Sequence, residues 1–83
     1  MTYEIKTRWE MKNGNKVEKA ELTNACEMAT RNGLDAIKYI KEGKTRYTWI
    51  EVPNDYQMKN YYNSFEVVVI EATTGKAIYK ISK

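Results

Sequence analysis

The chain has 83 residues, of which 42% are hydrophobic and 30% are charged, and its net charge is +3. This composition excludes an intrinsically disordered chain and predicts one small domain, residues 1–83, with its own core. One cysteine excludes an intramolecular disulfide, and no stretch approaches the roughly 18 apolar residues of a membrane span. We therefore expect a cytoplasmic protein.

The chain begins with a pattern typical of a half-buried strand. In residues 3–12 the side chains alternate, with Tyr3, Ile5, Thr7, Trp9 and Met11 on one face and charged residues on the other. Asn13-Gly14 then predicts a two-residue hairpin turn. Residues 15–20 are expected to return as a short polar edge strand.

From Glu21 the period changes and predicts a helix. Leu22, Ala25, Cys26 and Ala29 recur at spacings of three and four, and Asn32-Gly33 is a common helix stop. The small side chains on this stripe indicate close approach to a sheet. Cys26 is accordingly interpreted as a buried small hydrophobe and not as a reactive thiol.

The second half is read mainly as strands. Residues 34–43 fit a helix or a strand, and the strand is favoured because residues 45–52 are rich in strand formers. Pro53 ends that strand, residues 65–72 form a central strand apolar on both faces, and residues 76–83 close the chain. The predicted fold class is α+β: a single twisted antiparallel β-sheet with one α-helix packed on one face, in the order β-β-α-β-β-β-β.

One segment resembles a known group of proteins. In residues 17–29 an edge strand feeds a helix with the spacing Leu-Thr-Asn-Ala-x-x-Met-Ala, and the closing segment reads TTGKAIYKISK. These segments look like the scaffold of small phage-encoded inhibitor proteins, including anti-CRISPR proteins that act on type I surveillance complexes. The resemblance implies a helix on an antiparallel sheet, no active site, and inhibition by occupying a surface of a host complex. It carries no binding residue to this chain.

The residues themselves argue against catalysis. The absence of histidine removes the commonest general base, and a lone cysteine has no imidazole to activate it. No phosphate-binding glycine loop or metal-ligand spacing occurs. We expect no enzyme activity, no cofactor and no metal, so the function is expected to lie in a surface.

Residues 38–49 are the first candidate surface. Four cations flank a turn and alternate with aromatic rings, an arrangement used by proteins that bind nucleic acids through phosphates and stacked bases. The alternative is that the rings cover the sheet while the cations are solvated. The predicted contact residues here are Lys38, Lys41, Lys44, Arg46, Tyr47 and Trp49.

Residues 54–65 (NDYQMKNYYNSF) are the second candidate surface. Tyrosine rings and side-chain amides are typical of protein-binding loops. If Asn54 caps a helical turn, Met58 with Tyr61 or Tyr62 is expected to anchor the segment, while Tyr56 faces a partner. Tyr56, Tyr61 and Tyr62 are the predicted contact residues.

Three functional hypotheses follow. The leading one is a phage-type inhibitor, resembling anti-CRISPR proteins, that binds a host protein or ribonucleoprotein complex in the cytoplasm. The alternative is a DNA- or RNA-binding module that uses residues 38–49. The third is a homodimer that buries its open sheet face against a second copy.

Overall fold

The computed structural model describes residues 2–83, except for the side chains of residues 25 and 26, so the prediction for Cys26 lies outside the described part. Seven strands and one short helix follow one another along the chain. They are β1 Tyr3–Met11, β2 Lys16–Thr23, β3 Ala25–Arg31, β4 Leu34–Lys41, β5 Lys44–Trp49, α1 Asp55–Asn60, β6 Tyr62–Glu71 and β7 Ala77–Ser82.

The strands form two antiparallel sheets, where the sequence predicted one. The larger sheet has the order β2-β1-β6-β7, and the smaller has the order β3-β4-β5. Only Asn24 separates β2 from β3, so the chain passes from one sheet to the other within a single residue. The antiparallel prediction is confirmed. The prediction of a single sheet is wrong because β2 and β3 pair with different neighbours.

The predicted helix in residues 21–29 is also wrong, since this segment contains the end of β2 and most of β3. Met28 lies opposite Ile37, and Ala29 lies opposite Ala36, in a hairpin with β4. Asn32 and Gly33 both have positive φ, at 53° and 77°. This pair suits the two-residue turn of a β-hairpin as well as it suits a helix stop, and cross-strand pairing overrode the helical spacing.

The remaining turns refine two predictions. Glu42 and Gly43 also have positive φ, at 54° and 72°, and they join β4 to β5. The favoured strand at residues 34–43 is therefore confirmed. The first hairpin is looser than predicted, because only Gly14 of the Asn13-Gly14 pair has positive φ and the Met11 amide donates to the Asn15 carbonyl at 2.7 Å. This geometry corresponds to a longer loop that ends in a glycine bulge.

The core lies between the two sheets. Tyr3 and Val69 from the larger sheet cluster with Ile37 from the smaller one, and Met28, Tyr39 and Ile50 are among the half-buried side chains packed against them. β6 is the most apolar strand, and its Val67 and Val69 point into this layer. β1 alternates in its sequence because one of its faces lies toward this layer. β6 is apolar on both faces, as predicted, but its buried residues lie on one face only, and Val68 and Ile70 on the other face are half-buried.

A hydrogen bond also joins the two sheets. The Tyr79 hydroxyl of β7 donates to the Asp35 carboxylate of β4 at 3.1 Å. Burial of Tyr79, followed by the hydrogen bond and the negative charge of Asp35, raises the pKa of this tyrosine above its ordinary value. The bond holds the beginning of β4 against the edge strand of the larger sheet.

Replacing Ile37 with alanine is expected to destabilise the protein strongly, because this side chain is only 1% exposed and joins the two sheets. We expect the free energy of unfolding to fall by about 2–5 kcal/mol in urea denaturation. Leu22→Ala is the matched control, since Leu22 is 70% exposed. A loss of similar size in both variants would contradict the placement of the core.

Tyr79→Phe is expected to make stability less sensitive to alkaline pH. Because the folded pKa of Tyr79 is raised, its ionisation favours the unfolded chain, and stability present at neutral pH is lost as the pH rises through the titration of tyrosine. The melting temperature should fall less between neutral pH and pH values above ~10 in the variant than in the wild type. Tyr61→Phe serves as the control, and an equal change there would exclude a special role for Tyr79.

Candidate binding surfaces

The β4–β5 hairpin carries the first predicted surface, but strand alternation divides that surface between two faces. Lys38 lies opposite Tyr47, and Trp49 lies opposite Ala36 on the same outward face. Lys41, Lys44 and Arg46 belong to the other set of alternating positions. The structure therefore brings the predicted residues to one hairpin without bringing the rings and most of the cations to one surface.

The outward face of the smaller sheet, which we call the ring face, has an aromatic and cationic centre. Arg31 of β3 places its guanidinium 4.9 Å from the ring centroid of Tyr47 and 6.0 Å from that of Trp49 on β5. Because β4 lies between these strands, the Arg31 side chain must span it. Ala36 of β4 leaves room for this crossing, and it is fully buried.

Apolar side chains extend the ring face along β4. Leu34 is 60% exposed and Ile40 is 49% exposed, both on the outward positions of the central strand. Lys38 lies between them, and its ammonium is 3.3 Å from the Glu27 carboxylate. Lys38 is therefore paired within the sheet and does not present a free charge.

The opposite positions of the hairpin form what we call the cation face: Lys41, Lys44 and Arg46. Lys41 and Lys44 lie directly across from each other, and Arg46 is two residues further along β5. All three are exposed, and no ion pair forms at any of them in the described structure. Like charges directly opposite each other repel, so this pairing stabilises nothing in the isolated fold.

The cation face has no free ring. Tyr39 points the same way as Arg46, its register partner, but Tyr39 is half-buried against the core. Its hydroxyl lies 3.5 Å from the Thr48 hydroxyl. Acidic side chains nearby are Glu42 in the turn and Glu21 beside the adjoining groove.

The second predicted surface surrounds α1. Asn54 caps the helix, since the Gln57 amide donates to Asn54 Oδ1 at 2.8 Å and the Asn54 amide donates to Gln57 Oε1 at 3.0 Å. Tyr56 and Tyr61 are exposed and pack edge to face with centroids 6.2 Å apart. The sequence left open whether Asn54 caps a helical turn, and the structure has that turn.

Tyr62 points toward the interior of the protein. It begins β6, is half-buried, and meets Phe65 edge to face with centroids 6.4 Å apart. Met58 is likewise half-buried. Of the two tyrosines predicted as alternative anchors, Tyr62 is therefore the one that packs inward, while Tyr61 stays with Tyr56 at the surface.

An open groove of about 380 Å³ lies between the sheets beside α1. Its walls include Trp9 and Phe65, which stack at 6.3 Å, and Trp49 at its margin. Lys19 places its ammonium 5.4 Å from the centroid of Trp9 and so covers that ring. Glu21, Glu51 and Gln57 add polar groups to the walls.

Three residues of the ring face were missed by the sequence analysis: Arg31, Leu34 and Ile40. Arg31 was missed because the segment from Glu21 to the Asn32-Gly33 stop was predicted as a helix. That prediction hid the pairing of β3 with β4. The sequence feature that could have revealed Arg31 is the short spacing between two turn signals, Asn32-Gly33 and Glu42-Gly43. Together these turns define a three-stranded meander in which Arg31, Leu34 and Trp49 share a face.

Comparisons with known proteins add no assignment: no family model, curated protein or solved structure matches the chain. Among the described residues, no group of three or more histidine, cysteine or acidic side chains is arranged to hold a metal ion. The only helix in the described part, α1, has six residues, and no helix there has the length and apolarity needed to cross a membrane.

Lys44→Glu is expected to stabilise the protein. The substitution converts a repulsive pair with Lys41 into an attractive one, and we expect a gain of about 0.2–1 kcal/mol in the free energy of unfolding. Chemical denaturation at low salt measures this gain, which should shrink as salt is added. Lys44→Gln should give an intermediate value, and a destabilised Lys44→Glu variant would contradict the cross-strand pairing.

Tyr56→Ala is expected to leave the melting temperature within about 2 °C of the wild-type value, because this ring is exposed and contacts only Tyr61 among the aromatic rings. Tyr62→Ala should lower the melting temperature several times more than Tyr56→Ala does, since Tyr62 packs on Phe65. Thermal denaturation followed by circular dichroism compares the two. A Tyr56→Ala variant that melts earlier than Tyr62→Ala would reverse the assignment of the faces.

Proposed function

We propose that this chain is a small non-catalytic binding protein of phage type. It inhibits a host protein or ribonucleoprotein complex by occupying part of its surface. The resemblance to anti-CRISPR proteins suggested this function, but its strand-to-helix segment forms β2 and β3, so the support comes from the surface itself. The observation that carries the proposal is the ring face, where Arg31 bridges Tyr47 and Trp49. Tryptophan, tyrosine and arginine are the residues most enriched among the energetic centres of protein interfaces.

The ring face is organised in advance of binding. Its rings stand on a sheet, Arg31 is held by two aromatic contacts, and Ala36 beneath it is fully buried. A side chain that is already ordered loses little conformational entropy when a partner arrives. Leu34 and Ile40 supply apolar area beside this centre, and Lys38, which lies between them, has its charge compensated by Glu27.

Tyr56 and Tyr61 support the same proposal at a second place. Two exposed rings that pack against each other on a capped helical turn offer contact area at low entropic cost. We propose that these two rings contact the partner, and that Tyr62 serves to hold the segment in place.

The cation face supports a second candidate function, a nucleic-acid-binding module. Lys41, Lys44 and Arg46 form no ion pair in the described structure, and a cluster of unpaired cations attracts phosphates. The exposed rings of the hairpin point the other way. A nucleic acid on this face therefore has no stacking partner there.

Affinity purification from the native host tests the first proposal. The wild-type protein is expected to recover one large host complex, and Tyr47→Ala with Trp49→Ala is expected to reduce that recovery at least tenfold while leaving the fold intact. Leu22→Ala is the matched control, because Leu22 is an exposed apolar residue on the larger sheet. Recovery of no complex by the wild-type protein would contradict the proposal.

Sedimentation of the purified protein tests the homodimer hypothesis for the same surface. If the ring face binds a different protein and not a second copy, the sedimenting mass at high concentration should be that of a 9.8 kDa monomer. A dimer that dissociates when Trp49 is replaced by alanine would instead show that a second copy covers the ring face.

A further inference from the structure

The cation face of the β4–β5 hairpin holds its three positive charges at fixed spacings, which limits the ligands that can contact all three. Lys41 and Lys44 are directly opposed, with Cβ atoms about 4.5–5.5 Å apart, and Arg46 follows about 7 Å further along the same face. The two-residue turn at Glu42-Gly43 fixes the register of the hairpin. Three positive charges are thereby held on one short edge of a rigid element.

The repulsion between these charges is not relieved inside the fold. Some exposed cations of the larger sheet have carboxylate partners, such as Arg8 with Glu66 at 3.0 Å and Lys6 with Glu4 at 3.2 Å. Lys41, Lys44 and Arg46 have none among the described residues, although Glu42 lies in the same turn. An external polyanion is the kind of ligand that would neutralise them together.

The cation face offers positive charge without an aromatic ring on which a base could stack. Tyr39 is its only ring, and that ring packs against the core and is not available to a base. Tyr47 and Trp49 belong to the ring face on the other side of the strand, where Arg31 already covers them. The side chains that remain are lysine and arginine, which contact phosphates, and the one base edge that they commonly read is that of guanine in the major groove.

From this geometry we infer that the cation face binds the phosphodiester backbone of a nucleic acid, without base stacking and without sequence preference. The inference rests on the second candidate function and specifies it: three phosphate contacts from Lys41, Lys44 and Arg46, with the ring face left free.

Fluorescence anisotropy with a labelled 20-base-pair DNA of mixed sequence tests the inference at several salt concentrations. Three phosphate contacts predict a slope of about −2.7 in log K against log salt, so the affinity should fall about 40-fold between 50 and 200 mM salt. A second duplex of unrelated sequence should bind within about twofold. A sequence preference above tenfold would overturn the inference, because it would show that Lys41, Lys44 or Arg46 contacts base edges and not only the phosphate backbone.

Two matched triple variants distinguish binding by the cation face from attraction by the overall net charge. The triple variant Lys41→Gln, Lys44→Gln, Arg46→Gln should lose measurable binding at 50 mM salt. The triple variant Lys12→Gln, Lys59→Gln, Lys76→Gln removes the same charge from exposed cations that form no ion pair in the described structure, and it should keep the wild-type slope. Circular dichroism confirms that both fold. Equal loss in the two triples would overturn the inference in favour of overall charge.

The ring face supplies the remaining control. Tyr47→Ala with Trp49→Ala should leave DNA affinity within about twofold of the wild-type value. If this variant loses DNA binding, stacking is involved, and the inference fails while the nucleic-acid candidate stands. If the wild-type protein binds no DNA at 50 mM salt, both fail, and the protein-binding proposal is tested separately by its own purification experiment.

Discussion

The packing of Ile37 against Tyr3 and Val69 is the contact on which the rest of the structure depends. It joins the smaller sheet to the larger one, and these are the buried apolar side chains around which the half-buried residues gather. The Tyr79–Asp35 hydrogen bond supports the same junction from the edge. With one face of β4 held in the core, its other face is left outward, and the ring face is a direct consequence of that placement.

The β4–β5 hairpin shows how strand periodicity distributes binding chemistry. Alternate residues of a strand point to opposite sides, so a run of basic and aromatic residues that looks continuous in sequence becomes two surfaces. Tyr47 and Trp49 join Arg31 on one side, while Lys44 and Arg46 join Lys41 on the other. We propose different partners for the two surfaces: a protein for the aromatic side and a phosphate backbone for the cationic side.

Residues with strong local signals were predictable. The alternation of residues 3–12 acts within a few residues, and the structure agrees with it. The strand formers at 45–52 also form a strand, but it ends at Trp49 and not at Pro53. The segment from Glu21 to Gly33 was not predictable in the same way. Its helical spacing of small residues competes with cross-strand pairing to Ile37 and Ala36, and pairing depends on residues distant in sequence.

The sequence by itself determined the antiparallel strand character and the concentration of charge and aromatic rings between residues 38 and 49, because each depends on neighbouring residues. Only the tertiary structure decided that there are two sheets, that Arg31 reaches Tyr47 and Trp49, and that Tyr62 packs inward while Tyr61 does not. These features depend on which strands pair, and strand pairing is settled by burial of apolar faces across the whole chain and not by any local pattern.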